Sequence, residues 1–106
     1  MKKINFNDHN IEIVNEKKKL FSSEVKRKVK TIPIKEITAV RKEIFQGNWN
    51  SMTITKNYKD EEFIVAEELE EESELESLYN FLLTKKDEIK YEMSLFDIET
   101  MEEKKV

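Results

Sequence analysis

KTIPIKEITAVR, residues 30–41, carries the only proline of the chain, Pro33, between Ile32 and Ile34 in a segment that otherwise reads as strand. A proline has no amide hydrogen to give to a ladder, so it sits where a strand ends or along a sheet edge, and it holds the residue before it extended. The stretch therefore reads as a strand that stops at Pro33, a one-turn excursion through KEIT, and a new strand entered at Val40. On that reading Ile34 and Ile37 face the core from either side of the excursion.

On the N-terminal side, Ile4 and Phe6 alternate with polar residues, as do Ile11 and Ile13, and each pair is followed by the Asn, Asp or Lys clusters that close strands. Leu20 and Phe21 come next, then Val25 and Val29 in a lysine-rich ribbon. On the C-terminal side, Ile37, Val40, Ile44 and Phe45 lead to GNWNS at 47–51, a turn by composition. Met52 and Ile54 resume the alternation before a second polar turn, KNYKD at 56–60, and Phe63, Ile64, Val65 and Ala66 read as a last strand buried on both faces.

The period then changes. Leu75, Leu78, Tyr79 and Leu82 fall at i, i+3, i+4 and i+7, one apolar stripe that must lie against the preceding strands. Ser73 with Glu76 three residues later is the pattern of a capping box, and the acids at the start and Lys85 and Lys86 at the end suit the helix dipole. Beyond residue 90 two readings stay open. Ile89, Tyr91, Met93 and Leu95 alternate like a strand, whereas Leu95, Ile98 and Met101 follow a helical spacing; EEKKV at 102–106 is expected to be disordered. The expected fold is mostly β with a C-terminal helix: about six or seven antiparallel strands in a bent sheet or partly open barrel, capped by the helix. The domain covers residues 1–90, and residues 91–106 form a tail, partly disordered or interface-forming.

IPIKEITAV, with Ile32, Pro33, Ile34, Ile37 and Val40, resembles the I-P-(hydrophobic)-x-x-I-x-x-V segment of bacterial pleckstrin-homology-like (PH-like) domains, including those of small proteins of Firmicutes and Actinobacteria. The resemblance extends in element order over residues 4–89. It implies a proline corner that seats isoleucines under a barrel, a role in binding, and self-association into dimers or rings.

Composition bounds the rest. A chain of 106 residues has room for one core, and 38% hydrophobic with 40% charged residues gives that core a heavily solvated surface. With no cysteine there is neither a disulfide nor a thiolate metal site, no apolar run approaches the roughly 20 residues that cross a bilayer, and the N-terminus lacks the apolar stretch of a signal peptide. A cytoplasmic protein is expected. Charge is polarised along the chain: residues 1–59 hold 14 Lys/Arg against 6 Asp/Glu, residues 60–106 hold 5 against 17. Such a chain can pair head to tail, positive face on negative face.

Catalytic equipment is missing: one histidine, His9, in the turn FNDHN; one glycine, Gly47; no serine in a nucleophile elbow. An enzyme, a cofactor and a small-molecule substrate are not expected, which leaves three binding surfaces. Lys17, Lys18 and Lys19 precede one strand and Lys26, Arg27, Lys28 and Lys30 precede the next, a candidate anion patch for peripheral membrane contact; nucleic acid is disfavoured by the acidic total. Trp49 is either an anchor for a protein partner or a ring folded back over the barrel mouth, and Phe81, Tyr91, Met93, Leu95 and Phe96 complete a candidate protein interface. Glu67, Glu68, Glu70, Glu71, Glu72, Glu74 and Glu76 form a candidate acidic surface without the loop spacing that fixes a cation. The leading expectation is a binding and assembly module for protein, a second copy of the chain included. The alternatives are a small acidic inhibitor of phage type that mimics nucleic acid, and the anionic ligand. Truncation after residue 90 is expected to lower the oligomeric state or to expose the chain to aggregation.

Overall fold

In the computed structural model, which describes residues 1–18, 25–71, 73–85, 88–97 and 102–105, turn chemistry sets most of the strand ends. The Asn7 side-chain oxygen accepts from the amides of His9 (2.8 Å) and Asn10 (2.9 Å), an Asx turn that folds β1 (Lys2–Phe6) onto β2 (Asn10–Lys18). His9 is exposed in that turn. β3 (Val25–Pro33) returns along β2 and stops at Pro33, whose φ of −65° is the angle its ring imposes. One 3-10 turn, Ile34–Glu36, follows, and the Ile34 amide donates to the His9 carbonyl at 2.9 Å. Ile34, Ile37 and Val40 are all buried, as the corner reading requires.

β4 (Ile37–Phe45) and β5 (Asn48–Lys56) are joined through Gln46 and Gly47, both with positive φ (49° and 80°), the two-residue hairpin connection whose twist matches the strands. Trp49 therefore lies inside β5, opposite Ile44, not in a turn as its polar neighbours suggest. The next turn, before β6 (Asp60–Val65), has Asn57 and Tyr58 at positive φ and is tied to the proline corner: the Asn57 amide donates to the Glu36 carbonyl (2.9 Å) and the Tyr58 amide to Thr38 Oγ1 (3.0 Å). β6 buries Ile64 but leaves Phe63 exposed, so it is not the doubly buried last strand expected.

A second 3-10 turn (Ala66–Glu68) leads to α1 (Ser73–Lys85), which buries Leu75, Leu78 and Leu82. Ser73 is the first helical residue, so the helix starts one position before a capping serine at 73 would place it. Two more strands follow, β7 (Lys90–Asp97) and β8 (Glu102–Lys105), the latter where disorder was expected. β7 pairs with β4 in parallel, which α1 permits by carrying the chain back across the sheet. One three-stranded sheet has the order β1-β2-β3, and a mixed five-stranded sheet has the order β6-β5-β4-β7-β8. Mostly β with one amphipathic helix is the fold class, with eight strands among the described residues where about six or seven were expected and one parallel pairing of strands where none was.

The core lies between the sheets and under α1: Ile4, Ile11, Ile13 and Ile32 from the first sheet, Val40, Met52, Ile54 and Ile64 from the second, and the helix leucines above. Register breaks in β4 at Ile37/Ala39 and Glu43/Ile44 bend the second sheet around this core. The sheets do not close into a barrel. Among the described residues β3 and β6, edge strands of their sheets, make no ladder with each other, and an ion pair, Lys30 to Glu62, spans them.

Candidate functional site

The β2–β3 hairpin places most of the basic patch. Residues directly opposite share a face, so Lys17 with Lys26 and Asn15 with Lys28 lie on the face that carries Ile11, Ile13 and Ile32 further along. Lys17, Lys26 and Lys28, with Asn15, line one shallow concavity. Like charges directly opposite are unfavourable, and none of these three lysines has a carboxylate in contact among the described residues. Arg27 is on the opposite face, 3.9 Å from Glu16, and Lys30 is engaged by Glu62. Lys18 sits opposite Val25 by register, and Lys19 lies outside the described residues.

The aromatic candidates do not form one surface. Trp49 is folded back: its ring meets Tyr79 of α1 edge-on at 5.5 Å, its Nε1 donates to the Ser51 carbonyl (2.9 Å), and Lys42 Nζ stands 4.0 Å above its centre. Tyr79 meets Tyr91 edge-on at 5.7 Å, and the Tyr91 hydroxyl donates to the Leu82 carbonyl (2.7 Å). Tyr91 therefore clamps the helix to β7. Phe81 turns the other way and stacks on Phe6 at 4.5 Å. Met93 and Leu95 are half-buried and share the Tyr91 face beside Lys42 and Ile44; Phe96 lies opposite Phe45 by register, with its side chain outside the described residues.

The acidic candidates are divided as well. Glu67, Glu68, Glu70, Glu71 and Glu76 are exposed, while Glu74 turns inward and accepts weakly from the Ile4 amide (3.4 Å); Glu72 lies outside the described residues. Lys2 binds Glu68 at 2.7 Å and holds its carboxyl below the ordinary value, first by hydrogen bonding and then by charge. Lys85 does the same for Asp8 at the other end of the helix. Among the described residues no three acidic or histidine side chains converge as ligands for a cation, and no helix is long and apolar enough to cross a membrane.

One cluster carries no motif that a sequence reading could find. On the outer face of the second sheet, Glu43 accepts from Ser51 Oγ (2.8 Å), Thr53 Oγ1 (2.6 Å) and Arg41 Nε (3.1 Å). Alternation across β4 and β5 is the signal, but it becomes a cluster only when the register is known. Its carboxylate is satisfied from within by these three donors. The chain matches no family model, no curated protein and no solved structure.

Proposed function

We propose that the chain is a non-enzymatic, cytoplasmic binding and assembly module of the PH-like kind, which takes a protein partner, its own copies included, along an open sheet edge. The observation that carries this reading is β3: a nine-residue edge strand, exposed from Val25 to Thr31, whose outer backbone groups have no partner strand among the described residues. Such an edge is a template for pairing with another chain. What supports the PH-like kinship is the proline corner, where the strand stops at Pro33 and Ile34, Ile37 and Val40 are buried.

Light scattering on the eluting protein over a range of concentration and salt tests this reading. A discrete oligomer supports it, and a monomer under every condition removes self-association. Truncation after residue 90 is a poor probe, because it strips β7 from beside β4 and Tyr91 from the helix. A second reading, an anionic ligand at Asn15, Lys17, Lys26 and Lys28, is favoured by the concavity those residues line. Absence of binding to anionic vesicles at low salt, where electrostatic association is strongest, eliminates it.

A further inference from the structure

β3 alternates two kinds of side chain along its free edge. Lys26, Lys28 and Lys30 share the face of the buried Ile32, while Val25 and Val29, 58% and 49% exposed, stand on the outer face with Thr31 and with Arg27, which Glu16 neighbours at 3.9 Å. Between the two rows runs the unpaired ladder edge. A phosphate would meet the lysines and leave the valines and the edge amides in water. An extended polypeptide with acids on one face and apolar groups on the other meets all three.

β6 has that pattern. Asp60 and Glu62 share the face of the buried Ile64, Phe63 (53% exposed) and Val65 stand on the outer face with the exposed Glu61, and β6 is the edge strand of its own sheet. β3 laid against β3 of another copy would set lysine against lysine. β3 laid against β6 sets lysine against carboxylate on one face and valine against phenylalanine on the other. Within one chain Lys30 already holds Glu62, so the charges left for the next copy are chiefly Lys26 and Lys28 on β3 and Asp60 on β6. We infer that β3 of one copy adds as a strand to the β6 edge of the next, a head-to-tail pairing that rests on the assembly reading and names its two surfaces. Because the paired edges differ, the product is a ring or an open chain, or a two-fold dimer where both pairings close between the same two copies.

The test compares three proteins by light scattering at low salt: the unaltered chain, Lys26→Glu/Lys28→Glu, and Asp60→Lys/Glu62→Lys, with circular dichroism to establish that each is folded. Assembly of the unaltered chain that weakens with salt is expected, together with at least tenfold weaker assembly of each variant alone and recovery when the two variants are mixed. Phe63→Ser, which changes no charge at an exposed position, is expected to weaken the same assembly. Variants that assemble as well as the unaltered chain overturn the pairing and leave the assembly reading standing. Loss in each variant with no recovery on mixing also overturns the pairing. An unaltered chain that stays monomeric at every concentration removes both.

Discussion

Gln46 and Gly47 share the tightest turn, and each tests a different side of its backbone. Gly47 has φ 80°, and nothing lies within 4 Å of where a Cβ would stand, so Gly47→Ala meets only the strain of left-handed backbone. A loss of about 1 kcal/mol is expected in urea unfolding. Gln46, at φ 49°, is the residue out of place; Gln46→Asn supplies the side chain this turn type prefers and is expected to raise stability by roughly 0.5 kcal/mol. Ser94, opposite Glu43 in the register of β4 and β7, is 5% exposed and its hydroxyl has no hydrogen-bond partner among the described residues. Removing an unsatisfied buried hydroxyl relieves its desolvation, so Ser94→Ala is expected to stabilise by about 1 kcal/mol. An unfolding midpoint below that of the unaltered chain would show that the hydroxyl is satisfied in solution. Gly47 stands out in the sequence as its one glycine, whereas Gln46 and Ser94 do not, since each depends on a φ or a neighbour that only the folded register supplies.

At the scale of elements, α1 holds the two sheets over one core through three leucines. Leu78, fully buried, has no room to lose its side chain, and Leu78→Ala is expected to lower stability by about 2–5 kcal/mol in denaturant titrations. The helix was legible because a 3.6-residue period has a single meaning, and the corner was legible because Pro33 can neither donate nor leave its φ. The strands beyond the helix were not. Ile89, Tyr91, Met93 and Leu95 alternate, but nothing in that alternation says that their partner is β4, many residues upstream and parallel. Trp49 misled for a local reason: its asparagine neighbours suit a turn, yet the turn is set one step earlier by Gly47. Trp49 and Tyr91 both meet α1, Trp49 through the Tyr79 ring and Tyr91 through the Leu82 carbonyl.

For the whole molecule, charge sets the response to acid. Asp8 and Glu68 titrate below their ordinary values of 3.8 and 4.5 because Lys85 and Lys2 favour their ionised forms. A carboxyl that is more acidic folded than unfolded adds stability above its ordinary value, and that stability is lost as pH falls through the lowered one. The thermal midpoint is therefore expected to be level above about pH 5 and to fall below about pH 4.5, modestly, since both pairs are at the surface. The double variant Lys2→Met/Lys85→Met should flatten part of that fall; an unchanged acid limb would place its origin in other carboxylates.

The parallel pairing of β4 with β7 also bears on how the chain is made. The hairpins from β1 to β6 close between neighbours in sequence and can form as the chain emerges from the ribosome. β4 then has one flank complete and the other bare until residues 90–97 appear. During that interval a nascent chain shows its neighbours an unpaired central strand, the kind of surface that draws chaperones or aggregates. Lesions that halt synthesis or clip the chain before residue 90 should for that reason cost the cell more than their share of the length suggests.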